Sequence, residues 1–228
     1  MRFTRLLQVL AIGLAASVTV AAAGNWPATV SVQPGGHTVG NPAAPVTLTE
    51  YVSYTCPHCA AFTRAGEAPL EADYVAPGRL KVEVRHLLRN PVDLTVAMLV
   101  NCGAPARVQQ NHLAFMRAQP DWLPRVDNAT PAQRTRWTTG EDVARRRAIA
   151  SDVGLYAIAE RRGVNRAAAD RCLADQAKAT RLAEASDAGW KLPGITGTPS
   201  FALNGTVLAG THDWSTLEWQ LAARYRDR

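Results

Sequence analysis

The feature that most constrains this chain is Cys56-Pro57-His58-Cys59, set between strand formers and helix formers. Residues 45–54 before it carry β-branched and aromatic side chains and read as a strand. Pro57 suits a first helical position, where its missing N–H has no partner to lose. Alanines, Phe62, Glu67 and Leu70 continue a helix over 57–75; Pro69 should kink it and Gly78 stop it. Leu80 to Leu87 alternates as a second strand. Strand, helix and strand in this order imply an α/β architecture with two cysteines at the first junction.

A close cysteine pair is half a metal site, a structural pair or a reactive dithiol. Zinc needs two further ligands, usually a second close pair. Cys102 and Cys172 are isolated and no histidine pair has ligand spacing, so no metal is expected. A dithiol fits the junction better. Backbone N–H groups and the positive end of the helix dipole at a helix N-terminus favour a thiolate at Cys56. His58 adds an imidazole that can donate or carry charge. Cys56 is then the exposed, attacking thiol and Cys59, one turn on, the buried, resolving one. A dithiol whose reduced form is stabilised is a strong oxidant when paired.

The 228 residues, 47% hydrophobic, suit one domain with an insertion. Residues 93–190 form an alanine-, arginine- and leucine-rich helical block with turn signals near Pro120, Pro124, Gly140, Gly154 and Gly163. Residues 197–210 then read as a hairpin around Asn204-Gly205. A last helix, capped by Asp213 or Ser215, places Trp214, Leu217, Leu221 and Tyr225 near one face. The two β-containing pieces would share one mixed sheet, interrupted by the helical block.

Arg2 and Arg5, the uncharged run Leu6 to Val20 and Ala21-Ala22-Ala23 read as a signal peptide over 1–23. Residues 24–36 would be an extension and 37–228 the domain. The protein is expected to be periplasmic or secreted. Its formal charge of +6 is mild and its arginines scattered, against a nucleic-acid site. In an oxidising compartment four cysteines allow three pairings. Cys56 and Cys59 can only pair locally; Cys102 and Cys172, 70 positions apart, are either bonded or two buried thiols.

Gly40-Asn41-Pro42, Ala44-Pro45-Val46-Thr47, Cys56-Pro57-His58-Cys59, Gly197-Thr198-Pro199 and the Asn204-Gly205 hairpin together resemble the DsbA-like thiol:disulfide oxidoreductases of the thioredoxin superfamily. The resemblance covers about residues 37–228. It implies a thioredoxin-like fold with a mixed central sheet and an inserted helical subdomain at about 93–190. It implies that Pro199 is cis opposite the dithiol, and that the Thr198 backbone pairs with an extended substrate. It gives Glu50 the place of a buried acid near the resolving cysteine, with Lys81 or Arg85 as candidate partners. It suggests a structural disulfide between Cys102 and Cys172. It implies oxidation of unfolded secreted proteins, reoxidation by a DsbB-like membrane quinone reductase, no cofactor and a monomer. Thr198 also resembles the DsbC- and DsbG-type isomerases or reductases, which leaves the direction of reaction open. A redox-inactive peptide-binding chaperone on the same fold is the remaining alternative.

Overall fold

The computed structural model describes residues 24–226; the expected signal peptide lies outside the described residues. A six-stranded sheet runs in the order β1-β2-β4-β3-β5-β6. Its strands are β1 (Val30–Gln33), β2 (Gly36–Gly40), β3 (Val46–Val52), β4 (Leu80–His86), β5 (Ser200–Leu203) and β6 (Thr206–Val207). Only β3 and β4 pair in parallel, joined across α1 (Pro57–Leu70); the other neighbours are antiparallel. The sheet is therefore mixed and thioredoxin-like. β3 sits near its centre and is buried along almost its whole length, as Val-Thr-Leu-Thr-Glu-Tyr-Val permits.

The sheet takes in part of the 24–36 stretch that the sequence reading placed outside the fold. Val30-Ser31-Val32-Gln33 forms an edge strand that turns through Pro34-Gly35 into β2. Gly36 is required there: a Cβ would lie 1.8 Å from the Val84 carbonyl oxygen on β4.

Between β4 and β5 come α2 (Pro91–Val100), α3 (Val108–Arg117), α4 (Gln119–Asp127), α5 (Pro131–Thr138), α6 (Asp142–Val153), α7 (Leu155–Arg161), α8 (Arg166–Ala174) and α9 (Gln176–Trp190). These make up the helical insertion. α2 is apolar around its circumference and correspondingly buried. Gly154 takes φ +84° where α6 ends and α7 begins. Pro124 lies inside α4 instead of marking a turn. At the sixth position of a helix that starts at Gln119, its missing N–H costs a single bond, to residue 120. Pro69 likewise lies inside α1, which passes into a π-helical turn over Glu71–Val75 before Gly78, at φ +74°, ends the run. The chain closes with α10 (Trp214–Arg226), where Leu217 and Leu221 are fully buried and Trp214 meets Phe62 of α1.

Candidate active site

β3 ends at Val52, and Ser53, Tyr54 and Thr55 turn the chain into α1. Cys56 is the N-cap of α1, in extended conformation, and Pro57 is its first residue. The Cys56 carbonyl accepts from the Cys59 and Ala60 N–H groups, so the helix forms directly beneath the thiol. Pro57 and His58 are exposed. Cys56 keeps 3% of its surface and Cys59 none. The attacking thiol is thus more covered than the sequence reading supposed.

The two sulfurs are free and chemically unlike. A hydrogen bond from Cys59 is the largest influence holding the Cys56 thiol down, from the usual 9.0 to about 5. The Thr198 side chain and the backbone N–H groups of Cys59 and His58 act in the same direction, against partial burial. The His58 contribution therefore comes from its backbone. Burial pushes the Cys59 thiol well above the ordinary range, and its hydrogen bond to Cys56 adds to the effect.

The loop before β5 closes the site from the other side. The Thr198–Pro199 bond is cis, and the Cys56 thiol lies 3.1 Å from the Thr198 carbonyl oxygen. The loop is pinned twice. Ser200 Oγ donates to the Gly197 carbonyl (2.8 Å), and His212 Nδ1 lies 2.7 Å from the Pro199 carbonyl. A carbonyl can only accept, so His212 carries its proton on Nδ1. Phe62 of α1 and Phe201 of β5 pack below, with ring centroids 4.7 Å apart.

Glu50 lies on β3, 2% exposed, with Oε1 unpartnered. Burial, then repulsion from Glu67, raises its carboxyl well above the ordinary range. When ionised it would push the Cys59 thiol up further, so the two groups lie within electrostatic reach of one another. Neither Lys81 nor Arg85 is its partner. Glu50 pairs in register with Val84, on the buried face of β4, whereas positions 81, 83 and 85 occupy the opposite face. Lys81 Nζ donates to the Pro42 carbonyl (3.2 Å) and Arg85 pairs with Glu83.

Two residues that sequence reasoning missed hold the turn before Cys56, and both come from the insertion. Asp93, in the first turn of α2, is wholly buried. Its carboxylate accepts from Ser53 Oγ (3.0 Å), the Thr55 N–H (2.9 Å), Thr55 Oγ1 (3.0 Å) and the Arg89 N–H (2.9 Å). Gln119, at the start of α4, donates through Nε2 to the carbonyls of Tyr54 (2.7 Å) and Cys56 (2.8 Å). Asp93 takes the turn's donors and Gln119 its acceptors, so little of its polar backbone is left unsatisfied. The contacts to the turn span 38 to 65 positions, which no local pattern reveals.

Beneath Tyr54 lie three buried histidines. Tyr54 Oη is 3.0 Å from His112 Nδ1, and His37 Nε2 is 2.5 Å from Gln109 Oε1. Burial pushes His37 down to about 4 and His86 to about 3, so both are neutral at pH 7. Among the described residues no group of three or more His, Cys, Asp or Glu could hold a metal ion. Cys102, just after α2, and Cys172 of α8 are joined by a disulfide with Cα atoms 5.8 Å apart.

A thioredoxin-like sheet with a Cys-x-x-Cys at the β3–α1 junction and a cis-proline opposite it defines a class of redox protein. The family model described as Thioredoxin matches residues 32–223, and the chain belongs to that family. It is 46% identical to the crystal structure of a protein-disulfide isomerase from Novosphingobium aromaticivorans, with TM-score 0.80, covering 83% of this chain and 97% of that one. Wolbachia pipientis alpha-DsbA1 shares the fold at 20% identity, with TM-score 0.66 over 83% of this chain and 90% of that one. A Rickettsia conorii protein named as a protein-disulfide oxidoreductase is 24% identical over 179 residues, 78% of this chain and 56% of its own length. The chain thus spans just over half the length of the curated relatives it matches.

Proposed function

We propose that this protein is an exported thiol:disulfide oxidoreductase that acts mainly as a dithiol oxidase on unfolded secreted proteins. The contrast between the two sulfurs carries the reading: Cys56 is held down to about 5 at a helix N-terminus, and Cys59 is buried and pushed up. A low thiolate pKa stabilises the reduced enzyme, and so makes the Cys56–Cys59 disulfide oxidising. A substrate thiolate attacks Sγ of Cys56 in that disulfide, and the Cys59 sulfur leaves with the electron pair and is protonated. A second substrate thiolate then attacks the substrate sulfur of the mixed disulfide, and Cys56 departs as its stabilised thiolate. The substrate has lost two electrons and the enzyme dithiol holds them. Thr198 would align an extended client segment opposite the dithiol. Glu50, whose carboxyl burial holds well above the ordinary range, would supply the proton that the departing Cys59 thiolate needs. A DsbB-like membrane quinone reductase would reoxidise the dithiol, and the enzyme would act as a monomer in the periplasm or outside the cell.

The reading is tested by the redox equilibrium of Cys56–Cys59 with glutathione, alongside refolding of a reduced disulfide protein. An oxidising potential with net disulfide formation supports it. A potential as reducing as that of thioredoxin, about −270 mV, with no oxidase activity, overturns it. Thr198 and the name of the Novosphingobium relative favour a second reading, an isomerase. Rescue of a scrambled disulfide protein by the reduced enzyme, with little oxidation of a reduced one, would select it.

A further inference from the structure

A cavity of about 410 Å³ opens between the start of α2 and the helices α5 and α6. Its lining includes Arg89, Arg145, Arg146, Trp137, Leu94 and Ile149. Arg146 is 4% exposed. Its guanidinium is held by neutral acceptors, Nε on the Leu173 carbonyl (2.7 Å) and Nη2 on Gln176 Oε1 (3.0 Å). Asp175 acts on it only at longer range. A guanidinium taken out of water without a bonded carboxylate is costly and is met where an anion completes it. The one carboxylate in the lining, Asp142, pairs with Arg145 and offsets one of the three guanidinium charges. α2 and α6 both begin at this cavity, which adds the positive ends of two helix dipoles. At the C-terminal end of α5, the Thr138 carbonyl is already taken by Arg145.

The rim of the cavity is tied to the reactive turn by a hydrogen bond. Asn90, in its lining, donates through Nδ2 to Thr55 Oγ1 (2.9 Å), and Thr55 directly precedes Cys56. We propose that this cavity is a docking subsite for an acidic side chain of the client polypeptide, whose carboxylate meets Arg89, Arg145 and Arg146 while a nearby client cysteine bonds to Cys56. Leu94, Ile149 and Trp137 form the apolar wall against which the methylenes of a glutamate pack. Net positive charge and a partly apolar lining together select an acidic segment over a basic or purely polar one. The inference rests on the oxidoreductase reading above and adds a preference among clients.

The test uses the full protein and a series of reduced cysteine peptides. Each carries one Glu, or Gln at the same place, two to five residues from the cysteine on either side. At one or more spacings the Glu peptide is expected to be oxidised about fivefold faster than its Gln twin at low salt, an advantage that shrinks as salt rises. In Arg89→Gln and Arg145→Gln, whose side chains are less buried than that of Arg146, the Glu-to-Gln ratio should fall toward one. Taking the ratio within each protein cancels any change in thiol reactivity. Ratios of one at every spacing in the wild-type protein overturn the proposal, as do ratios that survive both substitutions. The same peptides with serine for cysteine, titrated calorimetrically, separate the two readings. Glu-dependent binding without oxidation of any cysteine peptide upholds the subsite and sinks the oxidoreductase reading; oxidation of Glu and Gln peptides alike does the reverse.

Discussion

The molecule carries two cysteine pairs that share a residue type and almost nothing else. Cys56 and Cys59 lie within one helical turn, unbonded, at the point where a sheet strand meets α1. Cys102 and Cys172 are 70 positions apart, bonded, and tie the end of α2 to α8 within the insertion. The first pair has backbone N–H groups and the Thr198 loop aimed at one of its sulfurs; the second staples two helices. Environment therefore decides what a cysteine does, and one helix links the two environments. α2, about 15 Å long by its ten residues, holds the reactive turn through Asp93 at its start. Cys102 fastens the chain just beyond its far end.

The largest expected effect separates the pairs outright. Cys56→Ser should lower oxidation of a reduced peptide by at least about a thousandfold, because it removes the disulfide that the peptide thiolate attacks. Cys59→Ser offered a client disulfide should instead accumulate the mixed disulfide left when the Cys56 thiolate attacks it, visible as adducts on a non-reducing gel. Loss of activity in Cys102→Ala/Cys172→Ala comparable to that in Cys56→Ser would break the division into reactive and structural pairs. That double variant is expected to lose about 4 kcal/mol of stability in urea, from a closed loop of this length. Its Cys56 thiolate should titrate as before, because Asp93 and Gln119 still hold the turn. A moved thiolate would show that the staple reaches the active site through α2.

The parts legible in sequence were those with local causes. Val46–Val52, the dithiol, the helix it opens and the Asn204-Gly205 turn each announce themselves within a few residues. Pro124 reads as a turn signal, yet α4 runs through it at the loss of one intrahelical bond. β1 was missed because Val-Ser-Val-Gln is a short, half-polar edge strand, although the Pro34-Gly35-Gly36 turn behind it was a usable signal. Lys81 and Arg85, candidate partners of Glu50 by sequence, could have been set aside from the sequence pattern. The alternation of Leu80–His86 already placed them opposite the buried face, and only the register was needed to put Glu50 on that face. Asp93 and Gln119 were not legible at all. An aspartate and a glutamine in a helical block look like any solvated polar residue until the fold brings them to Thr55 and Cys56.

Glu50 sharpens the contrast between the two sulfurs on the buried side. Its folded-state pKa is raised, so its carboxyl stays neutral as pH climbs past the usual carboxyl range while the unfolded chain ionises. The folded state loses stability across that interval. Gln is neutral in both states, so Glu50→Gln should match the wild type below about pH 4 and be the more stable at pH 7. Because Gln cannot pass a proton to Cys59, the substitution should also slow steps in which Cys59 gains or loses a proton, while initial alkylation of Cys56 is unchanged. Equal stability at pH 4 and pH 7 would mean that Glu50 ionises in place.

The smallest effect expected is at His58, the residue between the cysteines that sequence reading credited with an imidazole contribution. In the structure its side chain is exposed, and what it gives Cys56 is a backbone N–H. His58→Ala keeps that N–H, the helix start and Pro57. Alkylation of Cys56 followed against pH should therefore still rise through a midpoint far below 9, displaced from about 5 by less than about one pH unit. The reduced protein should also keep the stability that a depressed thiol pKa contributes. That contribution is full above the unfolded thiol's titration near 9 and is lost as pH falls through 5. A midpoint returning most of the way to 9 would reassign the thiolate to the imidazole. The low pKa would then belong to one exposed side chain, and the difference between the two cysteine pairs would owe less to the fold than to a single histidine.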